Sequence, residues 1–252
     1  MEQHSIIGDT EGDTEKVKEF WQDRGNQSDV SDKEVTHHDF WQRHLEIELI
    51  KKFLVHSARV LDVGCGNGYT TNHIAPMVRE IVGIDFSENM INRAIEEGQK
   101  KNILDKESIV FKVANVLDLD PSLFGYFDIV ISERCLINLD SWENQKKAIS
   151  KLASVLKPGG LFIFVEGSKN GRERLNEMRK AVGLEAMPSV WHNVDFEEKA
   201  TLEFLSKFFE INHRLHLGVY DFISRIFHPL LVAPDEPKYD SHVNEVAAKL
   251  AL

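Results

Sequence analysis

The chain has 252 residues, 42% of them apolar, which is enough for one large core and too few for two full α/β domains. Its formal net charge of -11 argues against tight binding of a nucleic-acid backbone, an affinity built largely from Lys and Arg contacts. No run approaches the roughly 18 apolar residues of a membrane span, the first residues lack the order of a signal peptide, and Cys65 and Cys135 form neither a disulfide framework nor a metal spacing. The expectation is a cytoplasmic protein with no nucleic-acid or membrane partner.

Much of the acidity is local, because residues 1–35 hold ten Asp or Glu against four Lys or Arg. Within this arm, taken as residues 1–39, Val17, Phe20 and Trp21 fall at helical spacing and give one short apolar face. The arm reads either as a helical lid over a pocket or as a packed appendage. From Phe40 to Leu54, apolar residues at Phe40, Trp41, Leu45, Leu49 and Phe53 mark an amphipathic helix.

Strand candidates follow at Arg59 to Val63, Glu80 to Asp85, Ser108 to Val113, Phe127 to Ser132 and Leu161 to Glu166, each short and rich in Val, Ile or Phe. Helices fill the gaps: Ser87 and Ser141 stand where N-caps are wanted, and Lys157-Pro158-Gly159-Gly160 stops a helix. The alternation specifies an α/β fold, a three-layer, doubly wound, Rossmann-like and mostly parallel sheet, with a core over residues 40–217. Phe208 to Leu217 reads as a sixth strand. Residues 218–252 end in a helix from Ser241 and serve as a cap on an acceptor pocket, a homodimer contact or a cover for the sheet edge.

The most informative stretch runs from Val60 to Thr71, where an apolar strand meets a GxGxG turn and a helix start. Three glycines in five residues let backbone amides approach a bulky ligand. Tyr69 stands where a dinucleotide-binding turn carries its third glycine, which disfavours a nicotinamide enzyme. Ligands in such sheets bind at the carboxyl ends of the strands, and Asp85, Asn115, Ser132, Glu133 and Glu166 fall at those ends. Asp85 suits the two hydroxyls of a ribose or the cap of the helix near Ser87. Asp62 either braces the glycine turn or reaches a ligand's amino group.

The order VLDVGCGNG, IVGIDFS, ANVLDL, FDIVISERCLINL and LKPGGLFIFVE closely resembles the class I S-adenosylmethionine (SAM)-dependent methyltransferases over residues 45–217. The resemblance implies that Gly64, Cys65, Gly66 and Gly68 flank the methionine part of SAM, with Asp62, Met90 and Ser132 in the same cofactor group. It implies Asp85 on the ribose, Phe86 against the adenine, and Asn115 with the Val116 amide on the adenine edge. Many relatives carry Asp at position 115, and Ile137-Asn138-Leu139 stands where relatives often show a histidine pair, so no catalytic His is expected there.

A sulfonium methyl is already activated, so catalysis consists largely of positioning. A hydroxyl acceptor must also lose a proton to a base. Candidate bases are Glu133 and Glu166 at adjacent strand ends and the pair His37-His38 at the end of the arm; His192, His213 and His216 rank behind them, and Arg134, Arg172 and Tyr220 suit a polar or anionic acceptor. Glu133, Glu166 and Asn170 match a metal-dependent O-methyltransferase only loosely, so no metal is expected. The leading expectation is methyl transfer to a small molecule, first a hydroxyl of a sugar or sugar-derived precursor, resembling bacterial enzymes of polysaccharide or secondary-metabolite pathways. N-methylation of a small amine and a noncatalytic cofactor-binding partner subunit are the alternatives.

Overall fold

The computed structural model describes residues 10–27, 30–31, 34–100 and 108–252, so the first nine residues of the acidic arm and residues 28–29 and 32–33 within it lie outside the described residues. In chain order the elements are α1 (Thr10–Asn26), α2 (Phe40–Lys51), β1 (Arg59–Val63), α3 (Tyr69–Ile74), β2 (Glu80–Asp85), α4 (Glu88–Lys100) and β3 (Ile109–Val113). They continue with α5 (Pro121–Phe124), β4 (Phe127–Glu133), α6 (Trp142–Val155), β5 (Leu156–Val165), α7 (Lys169–Ala181) and α8 (Glu198–Leu205). The chain closes with α9 (Gly218–Phe222), a π-turn (Ile223–Phe227), α10 (His228–Val232) and α11 (His242–Ala251).

The five strands form one parallel sheet in the order β3-β2-β1-β4-β5. Successive residues of a strand point to opposite faces, and β1 shows the result. Leu61 and Val63 enter a cluster with Val130, Ile149 and Leu152 of β4 and α6, while Val60 enters one with Ile47 and Ile50 of α2 and Ile74 of α3. Helices therefore cover both faces. Serine caps start two of them: Ser87 Oγ accepts from the Met90 amide at 3.2 Å, and Ser141 Oγ from the Asn144 amide at 3.3 Å.

Two strand assignments change. β5 begins at Leu156 rather than Leu161, because Lys157-Pro158-Gly159-Gly160 continues the strand through an irregularity opposite Phe127 and Ile129, with Gly159 at φ +75°. The sixth strand at 208–217 does not form among the described residues; residues 211–216 are exposed and irregular. Alternating side chains make a strand only where a neighbouring backbone supplies hydrogen bonds, and no strand pairs with this segment among the described residues; Phe209 packs on Phe162 at 5.1 Å and Arg214 pairs with Glu198 at 3.4 Å. The C-terminal segment packs on α2, where Leu45 meets Tyr220, Ala247 and Ala248 in a third cluster.

Candidate active site

Strand order reverses between β1 and β4, and the crevice beyond their carboxyl ends is the place such a sheet offers a ligand. One wall is built from the β1–α3 turn. Gly66 adopts φ +53°, which turns its N–H onto Asp85 Oδ2 at 3.0 Å, and a Cβ there would press on the Thr36 methyl at 2.8 Å. The other Asp85 oxygen accepts from the Ser87 amide at 2.9 Å, so this carboxylate braces the glycine turn and the start of α4 together. Asp62 accepts from Thr71 Oγ1 at 2.5 Å through one oxygen, which ties it to α3, and it also lines the cavity. Burial raises both aspartates to about 6, opposed at Asp85 by the Ser87 and Gly66 amides and at Asp62 by the Thr71 hydroxyl and Arg43.

Asp62, Gly64, Cys65, Gly66, Asp85 and Met90 line a cavity of about 100 Å³. Phe86 borders both this cavity and a second one of about 630 Å³ that includes Asn115. Asn115 Oδ1 accepts from the Leu117 amide at 3.0 Å and starts the short turn Val116–Asp118. Three residues grouped with the cofactor are not among the lining residues of either cavity. Gly68 lies behind the turn, where a Cβ would meet the Phe111 ring at 2.8 Å; Val116 is buried in the core; and Ser132 is buried with its hydroxyl donated to Glu166 at 2.6 Å.

The opposite wall is assembled from His37, Arg43, Glu133, Arg134 and Asn138. Arg134 sits just past β4 in the left-handed region at φ +54°, a conformation uncommon for a side chain with a Cβ. Its N–H donates to the Val165 carbonyl at 2.8 Å, and its guanidinium reaches Glu46 at 3.4 Å. Burial raises Glu133 above the usual carboxylate range against the pull of Arg43, and it raises Glu46 to about 7 against the pull of Arg134. Arg43 lies over the Tyr69 ring at 4.0 Å.

His37 Nδ1 accepts from the Asp39 amide at 3.0 Å, and burial, with Arg134, Arg43 and Arg225 nearby, holds the ring well below the usual imidazole range. Asp39 is itself fixed. It caps α2 through the Gln42 amide at 3.1 Å, accepts from Tyr220 Oη at 2.6 Å and pairs with Arg225 of the π-turn.

Two of the candidate bases are not brought to this cavity. His38 is exposed and off its lining. Glu166 takes four donors, Ser132 Oγ at 2.6 Å and the amides of Cys135, Leu136 and Ile137 at 3.1, 2.9 and 3.1 Å, which makes it the clamp of the loop after β4. Arg172 pairs with Asp195 at 2.5 Å, His192 packs on Phe20 at 4.8 Å and His213 on Phe53 at 5.3 Å. The residues that sequence reasoning missed are Arg43 and Glu46. Their signal was present, since with Ile47 and Ile50 they occupy one buried stripe of α2, where a charge needs a reason.

Helix α1 is hydrogen-bonded to both banks of the crevice. Gln22 Oε1 accepts from Ser87 Oγ at 2.9 Å and its carbonyl from Asn89 Nδ2 at 3.0 Å; across the gap, Trp21 Nε1 donates to Asn138 Oδ1 at 3.3 Å and Thr14 to Asp140. Among the described residues no group of three or more His, Cys, Asp or Glu is placed to hold a metal ion, and no helix is long and apolar enough to cross a membrane.

Residues 54–206 match the methyltransferase domain family. The chain belongs to that family and carries its class I, Rossmann-like fold. It is 32% identical over 134 residues to demethylmenaquinone methyltransferase of Leptospira interrogans, covering 52% of this chain and 51% of that protein. It is 33% identical over 134 residues to 27-O-demethylrifamycin SV methyltransferase of Amycolatopsis mediterranei, covering 49% and 47%. The chain thus spans about half the length of these curated relatives. Magnesium protoporphyrin IX methyltransferase from Synechocystis PCC 6803, solved with SAH bound, superposes with a TM-score of 0.58 at 20% identity over 79% of this chain and 88% of that one, a likeness of fold.

Proposed function

We propose that the chain binds SAM and transfers its methyl group to a hydroxyl of a small molecule. The observation that carries this reading is the Asp85 carboxylate at the carboxyl end of β2, facing a cavity that the glycine turn also lines and that meets a second cavity at Phe86. Each Asp85 oxygen takes one backbone donor and keeps lone pairs for ribose hydroxyls. In this reading Gly64, Cys65, Gly66 and Met90 flank the methionine end, and the adenine lies beside Phe86 and Asn115. SAM supplies the activated methyl; the chain holds it and the acceptor in line and excludes water.

Glu133 is the proposed base. It shares the cavity with the glycine turn, and its raised pKa makes it a better proton acceptor than an exposed carboxylate. The acceptor proposed is a hydroxyl of a sugar or sugar-derived precursor. The relatives named above act on acceptors unlike one another, so the acceptor wall has to be read from this chain's own side chains. Helix α1 is proposed as the lid, and residues 218–232 as the cap that fixes the acceptor wall through Asp39.

Calorimetric titration with S-adenosylhomocysteine (SAH), with NAD as control, tests the cofactor. Tight SAH binding without NAD binding supports the reading, and NAD binding alone rejects it. A screen of hydroxyl and amine acceptors, read as the mass gain of one methyl, tests the reaction.

A further inference from the structure

We propose that His37 is a hydrogen-bond donor for a carboxylate on the acceptor, and that the acceptor is therefore an acid-bearing small molecule. The inference rests on the methyltransferase reading for what the acceptor does, and on the His37 geometry for what it carries. A neutral imidazole has one donor and one acceptor nitrogen. Nδ1 of His37 accepts from the Asp39 amide at 3.0 Å, so the proton of the neutral ring resides on Nε2. Nε2 is buried, on a residue that lines the cavity, and has no hydrogen-bond partner among the described residues. A buried N–H without a partner costs about 1–3 kcal/mol unless something answers it. An oxygen of a bound molecule does so.

The surroundings select the charge of that oxygen. Arg43 and Arg134 border the same cavity, and Arg225 approaches the ring from the C-terminal segment. Burial first, and these cations after it, keep the ring neutral, and the cations favour an anionic partner. On the other side of the balance, Glu133, Asp62 and Asp85 line the cavity, Glu46 is held by Arg134, and Asp39 is engaged by Tyr220 and Arg225. A carboxylate presents two oxygens, one for the Nε2–H and one for a guanidinium. Placed so, it would leave Glu133 free to receive the proton of a hydroxyl elsewhere on the same molecule. The arrangement removes His37 from the list of bases, since its available nitrogen already carries a proton, and makes it a positioning residue.

The test is nitrogen-15 NMR of the histidine rings in the full chain saturated with SAH, with His37→Phe used to assign the signal. The expected result near neutral pH is a His37 ring protonated on Nε2 alone. Glucuronate and benzoate, added separately, shift that N–H, and glucose does not. A response to glucuronate alone assigns a sugar acid, and a response to benzoate as well assigns the carboxylate without the sugar. His37→Gln, which keeps an N–H near the Nε2 position, retains carboxylate binding, whereas His37→Phe loses it. A ring protonated on Nδ1, an imidazolium, an equal shift with glucose, or no shift with either acid overturns the proposal. Failure of SAH to bind in the same samples would sink the methyltransferase reading instead, and the ring tautomer of the SAH-free protein would still stand or fall by itself.

Discussion

The two walls of the crevice are made in different ways. The wall of β1 and β2 combines the backbone of a glycine turn with two aspartates, contributed by a stretch from Asp62 to Met90. The wall facing it is side chain, contributed by His37 before α2, Arg43 within it, and Glu133 and Arg134 at the end of β4, with Asp39 held from beyond residue 218. A backbone wall suits a ligand that does not change, because it offers few side chains to vary. A side-chain wall can be retuned one residue at a time, which suits a varied set of acceptors.

The sharpest way to break this comparison is to remove the base without touching the cofactor wall. Glu133→Gln is expected to lower methyl transfer by about 10²- to 10⁴-fold, read as SAH formation with whichever acceptor the screen returns, while SAH binding persists. Comparable loss of both would mean the walls are not separable. Next in size, Asp85→Ala should weaken SAH binding by about 1.5–3 kcal/mol, the range for hydrogen bonds to a charged group. Unchanged affinity by calorimetry would remove Asp85 from the ribose.

Glu166→Gln sharpens the comparison from beneath. The amide keeps one oxygen for Ser132 and the Cys135 and Leu136 amides and sets its N–H₂ against the Ile137 amide, and the expected loss is about 1–3 kcal/mol of unfolding free energy in urea. A wild-type midpoint would show that the clamp contributes nothing. The pH dependence is smaller still for each group. Asp62 and Asp85 at about 6, with Glu46 and Glu166 at about 7, hold protons more tightly folded than unfolded. Their contribution is whole below the ordinary carboxylate range and is lost as pH rises through about 6 to 7, at about 1.4 kcal/mol for each tenfold difference in proton affinity between the folded and unfolded chain. His37 and His192, held below the usual imidazole range, act the opposite way as pH falls through that range. With Glu133 also raised, the carboxylates outnumber the two imidazoles, and the melting temperature of the cofactor-free protein should fall between about pH 5.5 and about pH 7.5; a rise by calorimetry would contradict these burials.

How much of this was legible in the sequence follows the same division. The strands β1 to β4 and the glycine turn are local, set by short runs and by spacing within a dozen residues, and they form within a residue or so of where they were expected. The facing wall depends on which helix crosses which strand. Glu133 and Glu166 look alike at two strand ends, yet one borders the cavity while the other turns under the loop after β4 and meets its amides. Nothing in either residue's neighbours in the chain reports that turn. Residues 208–217 alternate as a strand should, and without a partner backbone beside them the pattern went unanswered. Arg43 and Glu46 were the readable exception, two charges on an apolar stripe.

The helix that spans both banks carries a consequence for timing. With α1 as the proposed lid, a molecule beneath it would leave after Gln22 lets go of Ser87 and Asn89, or after Trp21 lets go of Asn138 and Thr14 of Asp140. Each such bond is worth about 0.5–1.5 kcal/mol net. Residence time beneath the helix would therefore be set by a glutamine, a tryptophan and a threonine, three residues with no proposed part in the chemistry. Turnover would then be limited by how often the roof lifts, however fast the methyl group moves.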